Sequence, residues 1–424
     1  MTWRPTPLVT TLLTVVAWAV CLAVLTARAE LLFVALPLTT AMLTLSRRAA
    51  VPEYSVSLDV SAARVFEGET VTVTMSVQAA STVPLLVVRG PLPADTDLVS
   101  GRHRAAASLG RGDVASWRYE IRCAARGAPD FGPVIVQVRD RWGLRAREGR
   151  HVAARPVHVY PRVAPLRSLP RPAHTQTSIG DYVSPALGEG IEPGDIREFA
   201  PGDRIRQVNW RASLRLGALH VTQRRRERNA DVVLMVDTLA AVGPRHETTL
   251  DLGARAAASL ATAYLARKDR VGLINYGGTI DWVKPGSGRV QYERVADTLL
   301  KATVVFTYVT KDLAFVPPRV LPSHAIVVAV TSLLDPRFAK AALDLAARGF
   351  DVVVLVVSPV AVTRAMLRDS PLNALACRLW ALERRGVLDA FRRHGLTVCE
   401  WNPSEPLERA LAGVERRGLR AVAG

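Results

Sequence analysis

Lysine is scarce here: it supplies five of the 55 basic residues in a chain of 424, at positions 268, 284, 301, 311 and 340. None of the five follows a glycine, so no phosphate-cradling GK[ST] loop exists. The sequence also lacks GxSxG and HExxH, which removes the common serine and zinc hydrolases. Its four cysteines, Cys21, Cys123, Cys377 and Cys399, make no CxxC pair and no metal set. They read as small buried hydrophobes in a reducing compartment. His103, His151 and His158 are scattered and fit surface or core positions rather than ligand positions. Aromatics are only 6% of the chain, too few to interleave with the Arg clusters as a stacking platform for nucleic acid. Basic charge alone gives only non-specific, salt-dependent nucleic-acid affinity. What is abundant is arginine. The net charge of +17 and pI near 10.6 reflect a GC-rich genome, and they suit an anionic partner, including a lipid surface.

Charge is missing altogether from Pro5 to Ala27, a run of 23 residues. About 20 apolar residues suffice to cross a bilayer. A second uncharged run of 16 residues covers Leu31 to Ser46, short for a span but workable with snorkelling flanks. Only Arg28, Ala29 and Glu30 separate them, so residues 1–50 read as a transmembrane helical hairpin. A cleaved signal peptide is the rival, with Ala27-Arg28-Ala29 as a weak cleavage site. Arg4 precedes the hairpin and Arg47-Arg48 follow it, which places both ends, and everything after residue 50, in the cytoplasm.

Residues 51–165 carry short period-two segments at Tyr54–Val60, Val71–Val77, Leu85–Val88, Trp117–Cys123, Val134–Val138 and Val157–Tyr160, punctuated by Gly, Pro and Asp. The spacing predicts an antiparallel β-sandwich. Residues 228–424 alternate continuous apolar runs with helical segments. Strands are expected at 231–237, 270–276, 325–331, 351–357 and 396–401. Helices are expected at 248–266, 290–301 and 338–348, with 364–394 mostly helical but interrupted at Pro371 and Gly386. Such alternation gives a doubly wound parallel sheet whose ligands sit beyond the carboxyl ends of strands. Asp237 and the loop after Thr331 are then the candidate site.

Residues 166–227 form a linker of unusual composition. Ile196 to Arg215 holds five Arg, two acids, a Pro-Gly-Asp turn and one Trp. Val208, Trp210 and Leu214 are expected to anchor it to a core. Pro201-Gly202 suits a type II turn, with Asp203 capping a short helix from Arg204 to Trp210. Pro193-Gly194-Asp195 repeats that turn upstream. Glu192, Asp195, Glu198 and Asp203 are enough acids to pair with Arg197, Arg206, Arg211 and Arg215. Such pairs fix geometry more than they stabilise. Two roles follow for Glu192, Arg197, Asp203, Arg206, Asn209, Trp210, Arg211 and Arg215: a clasp between domains, or a surface that docks a partner. Gln223-Arg-Arg-Arg-Glu-Arg228 reads as a solvated edge or a lipid contact.

The chain resembles the bacterial "domain of unknown function 58" proteins. The residues that carry the resemblance are Gly188-Glu-Gly190, Glu192, Arg197-Glu-Phe199, Pro201-Gly-Asp203, Arg206, Asn209-Trp-Arg211, Ser213, Arg215 and Leu219, with Phe199 where Tyr is usual. Arg139-Asp140-Arg-Trp-Gly143-Leu144 resembles the family's D-P-x-G-L turn after the sandwich, with Arg141 in place of Pro. The resemblance implies a multidomain α+β chain: membrane hairpin, β-sandwich, then a von Willebrand factor A-like α/β domain. It also implies action beside a MoxR-type AAA+ ATPase at the inner (plasma) membrane, and no catalysis.

The von Willebrand A pattern further implies a Mg²⁺ site built on Asp-x-Ser-x-Ser with a later Thr and Asp. Here Asp237 is followed by Leu239 and Ala241 in the Ser places, and Thr331 by Ser332 in the Asp place; Asp335 lies further on. A hard cation wants several oxygens. The site at Asp237, Thr331 and Asp335 is thus expected to be degenerate, and no cofactor is expected. The alternative reading is an Mg²⁺-dependent ligand-binding or hydrolytic protein of the same fold.

Overall fold

A computed structural model describes residues 3–45, 51–151, 156–170, 176–200, 205, 208–307, 313 and 316–412. The chain divides into two compact units, residues 1–159 and 160–424.

The first unit begins with a two-residue strand, β1 (Arg4–Pro5), followed by α1 (Pro7–Thr26), a 3-10 turn at Ala29–Leu31, and α2 (Leu32–Leu45). Pro7 at the first helical position fits the fixed φ of a helix start. Ala27 ends α1 in a left-handed conformation, φ 53°. By length and composition α1 is able to cross a membrane, and it is the one described helix that is. The 14 residues of α2, with Pro37 inside, fall short of that length.

The sandwich follows as β2 (Tyr54–Val60), β3 (Arg64–Phe66), β4 (Thr70–Ala79), β5 (Val83–Arg89), β6 (Thr96–Gly101), β7 (Arg104–Leu109), β8 (Val114–Cys123), β9 (Val134–Arg139), β10 (Arg145–His151) and β11 (His158–Tyr160). One antiparallel sheet runs β2-β4-β8-β6, the other β1-β10-β9-β5-β7, with β11 paired to β3. Alternate residues point inward. Val71, Val73, Met75 and Val77 of β4 therefore meet Val134, Val136 and Val138 of β9 in a single core. Tyr119 sits fully buried within it, and its hydroxyl donates to the Pro91 carbonyl at 2.7 Å. The expected strands are present. To them the structure adds β1, β3, β6, β7 and β10, which no period-two pattern announced.

The second unit opens with an antiparallel ribbon of β12 (Gln176–Glu198) and β13 (His220–Asn229), with α3 (Trp210–Leu216) between them. There follow β14 (Asp231–Thr238), α4 (Thr249–Ala266), β15 (Arg270–Gly277), β16 (Ile280–Gly286), α5 (Arg289–Leu300), β17 (Ile326–Thr331), α6 (Pro336–Ala347), β18 (Asp351–Val357), α7 (Pro359–Met366), α8 (Pro371–Arg393) and β19 (Thr397–Trp401). The sheet order is β16-β15-β14-β17-β18-β19, parallel except for the edge strand β16. Successive residues of β14 face opposite sides, so both sides must be covered. Val232, Leu234 and Val236 pack with Leu250, Leu260 and Val295 of α4 and α5. Val233 and Met235 pack with Phe338, Leu388 and Phe391 of α6 and α8.

One expectation in this unit needs correction. The segment expected to be helical over 364–394 divides into α7 and α8, but α8 runs unbroken through Gly386. A mid-helix Gly costs about 1 kcal/mol, too little to end a helix held down by Leu388 and Phe391. The break expected at Pro371 is present: Pro371 begins α8, capped by the Ser370 hydroxyl, which accepts from Asn373 N at 3.2 Å.

Candidate functional site

Strand order reverses between β14 and β17, and ligands of open parallel sheets gather at such a reversal, beyond the carboxyl ends. At that end stand Asp237, the penultimate residue of β14, and Thr331, the last of β17. Asp237 Oδ2 accepts from the Thr331 hydroxyl at 2.6 Å, and its Oδ1 accepts from Leu239 N at 3.0 Å. The Thr331 oxygen in turn accepts from Leu333 N at 2.8 Å. Leu333 carries a left-handed φ of 50°, which a branched side chain disfavours. The loop holds that strain because α8 grips it: Arg384 Nη2 donates to the Ser332 carbonyl at 2.6 Å and Nη1 to the Leu333 carbonyl at 3.3 Å. Arg384 is itself buried, and burial lowers its pKa. The buried Ser332 hydroxyl finds no hydrogen-bond partner among the described residues.

Asp335 does not fold back to Asp237 as a second ligand. It caps α6, accepting from Arg337 N at 2.9 Å. The Arg337 guanidinium grips the same carboxylate through Nε at 2.9 Å and Nη2 at 2.7 Å, and donates through Nη1 to the Thr307 carbonyl at 2.8 Å. Arg337 holds the Asp335 carboxyl below its usual range. Asp237 goes the other way. Burial pushes it up to about 7, against the hydrogen bonds from Thr331 and Leu239; the Asp335 charge adds to the rise and Arg337 opposes it.

A Mg²⁺ ion does not fit this donor set. The positions that would supply hydroxyls hold Leu239 and Ala241, both oxygens of Asp237 already accept, and Asp335 is neutralised by Arg337. Among the described residues no group of three or more His, Cys, Asp or Glu is arranged to hold a metal. A positive charge is nonetheless present beside the two acids, and it is the chain's own Arg337. Sequence reasoning missed both Arg337 and Arg384. Asp335-Pro336-Arg337, a cap followed by Pro at the first helical position, carried a local signal for the former; nothing local marked the latter.

Strand ends are tightly abutted at this point. Gly277, which closes β15, leaves no room for a Cβ: it would lie 2.8 Å from the Thr238 carbonyl oxygen and overlap the Thr238 hydroxyl. Gly277→Ala should lower stability by about 1–3 kcal/mol through overpacking. Urea unfolding of the full chain in detergent measures it, and an unchanged midpoint would contradict the close approach.

The Arg-rich segment is assembled otherwise than its sequence suggests. Asn209 caps the described helix, its Oδ1 accepting from Ala212 N at 3.0 Å. The helix is α3, starting at Trp210 rather than ending there. Asp203 and Arg206 lie outside the described residues. Glu192 sits in β12 opposite Arg225 of β13. The expected Pro193-Gly194-Asp195 turn is instead an irregularity in β12, where the register shifts between Pro193 and Ile196. Arg197 is half-buried, and its Nη1 donates to the Glu198 carbonyl at 2.9 Å. Arg211 and Arg215 are exposed. Trp210 and Leu214 do not anchor the segment in a core: they are 61% and 85% exposed, one turn apart on the outer face of α3. What fixes α3 is polar. The Ser213 hydroxyl donates to the Asn209 carbonyl at 2.8 Å and accepts from His220 N at 2.9 Å.

Uncharacterized proteins of Mycobacterium tuberculosis and Mycobacterium bovis are each 30% identical to this chain over 138 residues, covering 32% of it and 44% of their own length. The likeness thus spans less than half of these curated relatives. Among solved structures, the cupredoxin domain of amoB from Nitrosocaldus yellowstonii overlaps 25% of this chain and 86% of its own, at 9% identity and a TM-score of 0.20. A CARDB domain from Pyrococcus furiosus overlaps 26% of this chain and 96% of its own, at 16% identity and the same score. Likenesses this slight bear on neither fold nor function. Residues 195–363 match the model of the family described as "Protein of unknown function DUF58".

Proposed function

We propose that this chain is a membrane-tethered, cytoplasm-facing scaffold that docks a MoxR-type AAA+ ATPase and performs no chemistry of its own. The observation that carries the reading is the outward presentation of Trp210 and Leu214 on a helix whose base is fixed by part-buried hydrogen bonds. Exposed aromatic side chains on a rigid support, ringed by Arg, are the usual anchors of protein interfaces. The exposed Arg211 and Arg215 beside them add charge for an acidic partner.

The second support is chemical. The sheet's switch point, where a ligand would sit, is closed by Asp237–Thr331 and by the Asp335–Arg337 pair. This favours a degenerate von Willebrand A-like domain, and the strand order β16-β15-β14-β17-β18-β19 with one antiparallel edge suits such a domain. Tethering rests on α1, with α2 returning the chain as the second arm of a hairpin at the inner membrane. Co-purification of the tagged full chain from its native host tests the proposal. Recovery of a MoxR-type ATPase is expected; its repeated absence would sink the reading.

A further inference from the structure

The start of α1 is fastened to the sandwich at one turn, and the fastening decides which part of the sandwich meets the membrane. Thr6, the residue before α1, donates its N–H to the Leu144 carbonyl at 2.9 Å and its hydroxyl to the Gly143 carbonyl at 2.7 Å. Arg4 and Pro5 pair as β1 with Ala146 and Arg145 of β10. Trp3 packs against the sandwich core. No slack is left between the sandwich and the first apolar turn. If α1 spans a bilayer, the turn Asp140–Arg145 is held at the level of the lipid headgroups.

The chemistry of that turn fits the position. Trp142 is 58% exposed, and the Arg141 guanidinium lies over its ring, 5.9 Å from the centroid. Trp prefers the interface between hydrocarbon and water, where its ring is buried and its N–H stays wet. Arg binds phosphate through a planar fork. The turn is stiff: Gly143 N donates to the Asp140 carbonyl at 3.0 Å, and Asp140 N to the Arg145 carbonyl at 3.1 Å. Beside it, the outer face of β9 and β10 forms a cleft with β1 lined by Arg4, Arg139 and Arg150, with Gln137 and a single acid, Glu148. Arg139 keeps a buried Nε without a hydrogen-bond partner among the described residues.

We propose that Arg141, Trp142 and the Arg4–Arg139–Arg150 cleft form a docking surface for an anionic bilayer, seating the sandwich flat against the membrane that holds α1. The inference rests on the membrane-anchor reading of α1. It adds that the sandwich is not a free spacer but is pressed against lipid headgroups.

The test uses the full chain reconstituted in lipid nanodiscs, either of phosphatidylcholine or of phosphatidylcholine mixed with phosphatidylglycerol. Hydrogen exchange of the peptide covering residues 138–147 is followed in both, and alkaline carbonate extraction of native membranes is run in parallel. The expected result is carbonate resistance, with exchange at Arg141 and Trp142 slowed at least about fivefold in anionic discs alone, the effect of one Arg at an anionic surface. Arg141→Ala with Trp142→Ala should abolish the slowing while leaving exchange in β4 and β9 unchanged. Carbonate resistance without slowing, or equal slowing in neutral discs, overturns the docking surface and leaves the anchor standing. Extraction by carbonate overturns both.

Discussion

Asp237→Asn should stabilise the protein relative to the parent as pH rises, and the gain should be absent in acid. Burial raises the folded-state carboxyl to about 7 from an ordinary value of 3.8. Between those values the folded protein keeps a proton that the unfolded chain has released. Stability from this group is complete below pH 3.8 and is lost as pH climbs through the folded value. About three pH units at about 1.4 kcal/mol each set an upper bound of about 4 kcal/mol on the loss. Asn has no charge to bury. It keeps the acceptor for Leu239 N and meets the Thr331 oxygen with its amide, so it escapes the penalty. Thermal melts of parent and Asp237→Asn in detergent, at pH 3.5, pH 5 and pH 8, should show no gain for Asn at pH 3.5, a partial one at pH 5 and the full one at pH 8. A difference independent of pH would mean that Asp237 is ionised throughout, its charge matched by a cation. Adding Mg²⁺ then decides which cation. A melting temperature raised by Mg²⁺ in the parent but not in Asp237→Asn would restore the metal-dependent alternative; no effect of Mg²⁺ would assign the compensation to Arg337.

This pairing shows how far the sequence carried the site. Asp237 was legible because β14 is a continuous apolar run that ends on it, and buried parallel strands must end where the polar loop begins. Thr331 was legible for the same reason on β17. Leu239, Ala241 and Ser332 stand, in the sequence itself, at the positions where the resemblance implies metal ligands. Arg337 was legible only as the neighbour of a helix cap, and Arg384 not at all. Arg337 acts through a cap two residues before it and a carbonyl thirty residues away, and Arg384 through carbonyls some fifty residues away. Such partners are set by how helices pack, and no local pattern encodes that.

The same logic separates the strands that were read from those that were not. β4 and β9 bury every second residue against a core, so their periodicity is strong. β10 reads Arg-Ala-Arg-Glu-Gly-Arg-His, and the one residue it buries fully is Gly149, which leaves no hydrophobic signal. Its pairing with β9 and β1 is a matter of backbone hydrogen bonds, to which side-chain periodicity is blind. The Arg-rich segment misled in the opposite direction. A lone Trp in polar surroundings invites the inference that it is buried, because burying an indole is strongly favourable. Trp210 stays out because α3 is held at its base by Asn209, Ser213 and His220 instead. An aromatic that gains nothing from the fold is better explained by a partner.

Trp210→Ala with Leu214→Ala should therefore leave folding almost untouched and remove the ATPase from the co-purified material. Neither side chain fills a core, so the change in unfolding free energy should stay within about 0.5 kcal/mol. Interface anchors lose roughly 2 kcal/mol or more each on truncation, enough together to weaken binding about a thousandfold. Had the segment been a clasp held by Trp210, the order would reverse, with stability lost and partner loss merely following from it. A second apolar face supplies the internal control. Leu372, Leu375, Leu379 and Leu382 of α8 are 54–75% exposed and lie opposite the buried Cys377, Arg384, Leu388 and Phe391. At 100° per residue the two sets fall on opposite sides of the helix. Leu375→Glu with Leu379→Glu should leave the ATPase bound if α3 carries the contact. Loss of the ATPase from the α8 variant, with retention in the α3 variant, would move the docking surface from the Arg-rich segment to α8 and leave Trp210 without a role.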